Sequence, residues 1–211
     1  MQLCNMKNIK TIIFDLGAVI LNISYKNTID AFAKLGIPNS ESFYSKQVQT
    51  DLFNQIETGK ISEKKFFLEL QKKTSKTSIT ELKDAWNAML LDLPKKRIDL
   101  LKRIKPHYSI FLLSNTNSIH ISELKKKLGK KTYYNFYNLF NKVYYSHKIG
   151  FRKPSQQAFK IILEENKLYA HECLFIDDSP QHVQGAKKLG IKTHHLQENE
   201  ELTTLFPHII Q

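Results

Sequence analysis

Three short apolar runs, each ending on a polar residue, constrain this chain more than any other feature. Lys10 to Phe14 runs into Asp15, Ser109 to Leu113 into Ser114, and Cys173 to Ile176 into Asp177. Such runs, with no polar alternation, read as strands buried on both faces. Each is followed by a helical pattern: Ser118 to Leu128, Pro154 to Glu165 with Pro154 expected at the first helical position, and Pro180 to Leu189, stopping at Gly190. Strands alternating with helices predict an α/β fold, a Rossmann-like parallel sheet flanked by helices. Ligands of an open α/β sheet sit beyond the carboxyl ends of its strands, so Asp15, Ser114, Asp177 and its neighbour Asp178 are expected to converge.

The long interval between the first two runs carries no period-2 stretch. Phe66, Phe67, Leu70, Leu82, Trp86, Met89 and Leu90 recur there at helical spacing. They predict a helical insert that enters near Asn22 and leaves near Pro94. The expected organisation is an α/β core domain of residues 1–21 and 95–211, with a small helical cap domain of residues 22–94 inserted after the first strand.

With 211 residues, 41% of them apolar, the chain can bury a sizeable core. Cys4 and Cys173 lie far apart without CxxC spacing, which argues against a disulfide framework or a cysteine metal site. Met1 to Lys10 lacks a signal-like apolar segment, and no apolar run approaches the roughly 18 residues of a membrane span. A cytoplasmic protein with no membrane partner is expected. The net charge of +12 raises the question of a polyanionic partner. Its densest stretch, Lys125 to Lys127 with Lys130 and Lys131, precedes Tyr133, Tyr134, Phe136 and Tyr137, a mixture that could hold single-stranded nucleic acid. The favoured reading is a solvated helix end whose aromatics turn into the core, so a nucleic-acid partner is not expected. Oligomeric state is not specified by any feature of the sequence.

Several residues suit phosphate chemistry. Asp15, at a strand end with Gly17 letting the chain turn closely, is either a turn cap or a carboxylate nucleophile. Ser114 and Asn115 either cap a helix or grip phosphate oxygens. Lys153 is either solvated or offsets the charge of a phosphoryl group. Asp177 and Asp178 form the strongest single signal, because adjacent carboxylates behind a buried strand repel unless a cation or strong donors are present. Magnesium suits such a pair, since one or two carboxylates plus substrate phosphate suffice to hold it, while capping of the helix from Pro180 is the competing use. The eight histidines show no metal-ligand spacing, and His194 and His195 would point to opposite faces of a strand. His120, just after Ser114, is the one that could approach the site.

In order, Asp15 with Gly17 and Val19, Ser114, Lys153 and the Asp177–Asp178 pair resemble the four motifs of the haloacid dehalogenase-like hydrolases. The likeness spans nearly the whole chain, because that family's helical cap falls between its first and second motifs. Within the family the sequence resembles bacterial alpha-D-glucose-1-phosphate phosphatase-type members in Phe14 to Ile20, Leu113 to Asn117, Arg152 to Pro154 and Asp177–Asp178. Glu57, Gly59, Ile61, Ser62 and Phe66 of the insert look similar as well. The resemblance implies a magnesium-dependent phosphatase acting on a small phosphorylated metabolite, such as a sugar phosphate. It further implies that Asp15 is nucleophile and metal ligand, that the Gly17 carbonyl and Asp178 complete the ion's protein ligands with Asp177 as ligand or support, and that Ser114, Asn115 and Lys153 hold the phosphate. Paired acids in the fourth motif argue against a dehalogenase, which transfers no phosphoryl group.

One departure stands out. Most phosphatases of that family carry a second Asp two residues after the nucleophile as general acid and base, and here that position is Gly17. General acid catalysis is typically worth about 10²- to 10⁴-fold in rate. A leaving group as acidic as an anomeric hydroxyl, or proton relay by water or by the substrate, would accommodate the loss. The alternative is a weakly active or inactive member that binds a phosphorylated ligand or a protein.

Overall fold

The computed structural model describes residues 6–44, 50–74 and 77–210. Cys4 lies outside them, and among the described residues no helix is long and apolar enough to cross a membrane. Five parallel strands form one sheet: β1 (Thr11–Phe14), β2 (Ser109–Ser114), β3 (Lys142–Tyr145), β4 (Cys173–Asp177) and β5 (Lys192–His195), in the order β3-β2-β1-β4-β5. The three apolar runs are therefore its central strands. β3 was not anticipated. It is a four-residue edge strand, buried only at Tyr144 and Tyr145, and so lacks the apolar run that marks an interior strand. β5, implied only by the placing of His194 and His195 on a strand, is the opposite edge.

Alternation along β1 explains the two-sided core. Ile12 and Phe14 face one layer with Ile110, Leu112, Leu174 and Ile176, while Ile13 faces the other with Phe111, Phe175, Phe159 and Ile162. Both faces are covered, which is why these runs are continuously apolar.

The helix expected to begin at Pro154 begins instead at Gln156 and runs to Glu165. Ser155 is its N-cap, its hydroxyl accepting the Gln157 N–H, so Pro154 stands outside the helix. Pro180 does occupy the first turn of its helix, Pro180–Lys187.

Between β1 and β2 the chain is helical, with Tyr25–Lys34, Asp51–Glu57, Glu63–Gln71 and Ile79–Asn87 the longer segments. Ser24, Ser62 and Ser78 cap three of these, Ser78 in a reciprocal box with Glu81. Their buried faces meet around Trp86, whose ring lies 4.8 Å from Tyr44, 5.1 Å from Phe53 and 5.3 Å from Phe66. The entry and exit of this insert run side by side: Asn22 N–H donates to Asp92 O, Leu91 N–H to Asn22 O and Ser24 N–H to Met89 O. Arg97 ties this neck to the core, donating to Asn22 Oδ1 at 3.0 Å and to both oxygens of Glu201.

The lysine-rich stretch straddles two helices, Ser118–Leu128 and Lys130–Tyr137. Tyr133 and Phe136 are buried and Tyr134 is exposed, with Lys125 lying over its ring. A stretch whose rings alternate between core and surface offers no continuous stacking face for bases.

Candidate active site

The sheet's order reverses beside β1: the chain moves outward through β2 and β3, then crosses to β4 on the other side. Ligand crevices of α/β sheets open at such a switch point. Asp15 follows β1 there, its N–H bonded to Ile176 O of β4, and Asp177 and Asp178 follow on the neighbouring strand. The sequence-predicted Asp15, Gly17, Ser114, Asn115, Lys153 and Asp178 all line one cavity of about 70 Å³, and Asp177 lies directly behind it.

Lys153 is the hub. Completely buried, its ammonium donates to Asp15 Oδ1 and to Asp177 Oδ2, each at 2.6 Å. Its backbone is clamped by Asn115, whose amide donates to Lys153 O at 2.9 Å while Asn115 Oδ1 accepts the Lys153 N–H at 2.8 Å. The helix Pro180–Lys187 supports the same loop at Gly185, where a Cβ would stand 2.5 Å from Pro154 O. Only glycine permits that approach. Pro154 thus follows Lys153 in a turn ahead of the helix rather than at a helix start.

Asp177 is saturated by protein donors. Besides Lys153, Ser179 N–H donates to Oδ1 at 2.7 Å and the His182 imidazole lies 3.0 Å away. Burial opposes its ionisation, but Lys153 and His182 outweigh this and hold it well below the usual carboxylate range. Asp15 moves the other way: burial raises it against the pull of Lys153, and Asp177 and Asp178 push it further. Lys153 stays charged, since the two carboxylates outweigh its own burial.

Ser114 ends β2, buried and facing the cavity, and it caps no helix: Asn117 caps Ser118–Leu128 by accepting the His120 N–H. Two residues on, the Thr116 N–H is taken by Ser146 Oγ. His120 does reach the cavity wall but is a packing group. Its ring stacks on Trp86 at 4.5 Å and Nε2 donates to Trp86 O, and burial lowers it to about 4, so it is neutral. His194 and His195 take separate partners, Glu200 and the Asp178 carbonyl.

Sequence reasoning treated His182 as an ordinary surface or core residue, yet it links Asp177 to Asn115. Its place in the first turn of a helix directly after the acidic pair is the signal that could have found it. Tyr25 and Glu57 also line the cavity, brought in by the insert; Glu57 belongs to the insert pattern already noted, whereas nothing in the local sequence marks Tyr25. At Gly17, a Cβ would come within 2.9 Å of Ile23 Cδ1, so an apolar side chain from the neck stands where an acid at this position would project.

The donor set fits a divalent cation. One oxygen from each of Asp15, Asp177 and Asp178 lies within 4.8 Å of the others, and Lys153 balances only one of the three charges. Carboxylate oxygens are the donors magnesium prefers.

The family model of the haloacid dehalogenase-like hydrolases matches residues 9–190. The chain is 28% identical over 186 residues to the D-ribitol-5-phosphate phosphatase of Bacteroides thetaiotaomicron, covering 88% of this chain and 90% of that protein. A crystal structure of a haloacid dehalogenase-family enzyme from the same organism, an aspartate-to-alanine mutant in complex with magnesium and inorganic phosphate, superposes with a TM-score of 0.86. It is 32% identical and covers 94% of this chain and 98% of its own. A haloacid dehalogenase-like hydrolase from Porphyromonas gingivalis gives a TM-score of 0.85 at 27% identity, with 97% and 98% coverage.

Proposed function

Because the chain belongs to the haloacid dehalogenase-like hydrolase family, we propose that it is a magnesium-dependent phosphatase of a small phosphorylated metabolite, of the sugar- or alditol-phosphate class. The observation that carries this reading is the buried Asp15–Lys153–Asp177 chain of two 2.6 Å bonds at the switch point, with Asp178 beside it. A relative named for D-ribitol 5-phosphate and a neighbour holding magnesium and phosphate support the substrate class and the ion.

In the proposed reaction the Asp15 carboxylate attacks phosphorus and the bond to the substrate oxygen breaks, leaving an aspartyl-phosphate. Water then attacks phosphorus, returning the Asp15 carboxylate and releasing phosphate. Lys153 holds Asp15 in line and offsets phosphoryl charge, while Asn115 fixes Lys153 through its backbone. Ser114 binds a phosphoryl oxygen. Asp178 and the Gly17 carbonyl join Asp15 as metal ligands, and Asp177, occupied by Lys153, Ser179 and His182, holds that arrangement in place. Magnesium bound there would neutralise phosphoryl oxygens and hold them against Asp15. With Ile23 at the position of an acid, the departing oxygen takes its proton from water or from the substrate itself. Residues 22–94 act as a cap over a core of residues 1–21 and 95–211.

Hydrolysis of p-nitrophenyl phosphate, whose leaving group needs little protonation, tests the reading directly. Turnover is expected only with magnesium, and Asp15→Asn is expected to lower it by about 10⁴-fold or more. Folded, magnesium-loaded wild type that turns over nothing would favour the ligand-binding alternative.

A further inference from the structure

One polar pair in the cavity is not used by this chemistry. Glu57 is the last residue of the helix Asp51–Glu57, 4% exposed, and Arg152 immediately precedes Lys153. Arg152 Nη2 stands 3.0 Å from Glu57 Oε2 across the seam between insert and core. The contact is an ion pair without hydrogen-bond alignment: Glu57 Oε2 and Arg152 Nε are both buried with no hydrogen-bond partner among the described residues. The seam holds them there. Gly59 follows with a φ of +69°, and a Cβ on it would stand 2.4 Å from His147 O, so only glycine lets the helix end press this close to the core.

We propose that Glu57 and Arg152 form a hydroxyl-recognition subsite, through which the cavity selects polyhydroxylated phosphate esters over plain alkyl ones. The proposal rests on the phosphatase reading. Both side chains line the cavity, so a ligand there meets a carboxylate acceptor and a guanidinium donor side by side. A sugar or alditol hydroxyl donates to a carboxylate and accepts from a guanidinium N–H, so a vicinal diol satisfies both residues at once. An alkyl chain satisfies neither. A carboxylate would suit Arg152 but would be repelled by Glu57, which excludes acidic substrates as well. Burial pushes the Glu57 carboxyl up although Arg152 and Lys153 pull it down, as expected of a pair that does not fully satisfy itself.

The test compares D-ribitol 5-phosphate with n-pentyl phosphate, which has the same carbon chain and no hydroxyls, in magnesium-loaded wild type, Glu57→Gln and Arg152→Lys. The wild type is expected to favour the ribitol ester in kcat/KM. That ratio is expected to fall about 10- to 100-fold in either variant, mainly through KM. Arg152→Lys keeps the charge and so serves if Glu57→Gln does not fold. A ratio that stays constant in a folded variant, whether both esters slow together or neither does, overturns the subsite. So does a wild type with no preference. Wild type that hydrolyses neither ester nor p-nitrophenyl phosphate would instead overturn the phosphatase reading.

Discussion

Lys153 and Trp86 are both completely buried, one at the carboxyl end of the sheet and one in the insert, and they organise their surroundings by opposite means. Around Lys153 the contacts are charged, few and short, and two carboxylates share one ammonium with a third beside them. Around Trp86 they are aromatic and numerous, with Phe53, Phe66, Tyr44 and His120 all packed on one indole. Charge buried in the first way is held under tension that a cation relieves. Ring packing stabilises without asking for a ligand. The carboxyl end of the sheet is thus organised for chemistry, and the insert presents Glu57 and Tyr25 to it.

Lys153→Met breaks the comparison most severely. Turnover of p-nitrophenyl phosphate is expected to fall about 10²- to 10³-fold. In chelator-treated protein, stability is expected to drop by about 3–5 kcal/mol, because two buried carboxylates lose their partner. Denaturant titration with and without magnesium measures both parts, and the ion should restore some of the loss. A drop that magnesium does not touch would mean that no ion binds beside Asp15 and Asp178.

Trp86→Ala should cost a similar amount, about 3–5 kcal/mol, by opening a cavity at the centre of the insert. Here magnesium should restore nothing, and kcat on p-nitrophenyl phosphate, measured where the variant is folded, should change less than in Lys153→Met. Equal collapse of turnover in both variants would abolish the distinction between the regions.

His120 gives the smallest effect. Burial holds its imidazole at about 4 against an ordinary 6.5, despite the bond to Trp86 O that favours the charged form. The folded-state value is depressed, so the unfolded chain takes up the proton first. The resulting stability is complete above about pH 6.5 and is lost as pH falls through about 4. By pH 5 the loss amounts to about 2 kcal/mol. Comparing urea midpoints of wild type and His120→Gln at pH 7 and pH 5 checks this, and equal pH dependence would show that the histidine contributes none of it.

The three central strands, and the polar residues at their ends, were legible because an interior parallel strand must be apolar throughout and its ligand-facing end must not be. Edge strand β3 left no such trace, since half of it is exposed. The helix after Lys153 was misplaced by two residues because Pro154 and Ser155 both carry start signals, and the serine's hydroxyl, hydrogen-bonded to Gln157 N–H, took the cap.

The sequence alone determined the three central strands, the helical nature of the insert and which acids would meet, because these follow from periodicity and from residues fixed at strand ends. Only the tertiary structure decided what each polar group has left to offer. Asn115 is turned to the Lys153 backbone and Asp177 is saturated, while Glu57, far away in sequence, arrives beside Arg152 with an oxygen unmet. A side chain's chemistry is written in its residue type, but its availability depends on donors and acceptors contributed by segments remote in the chain, and no local pattern records them.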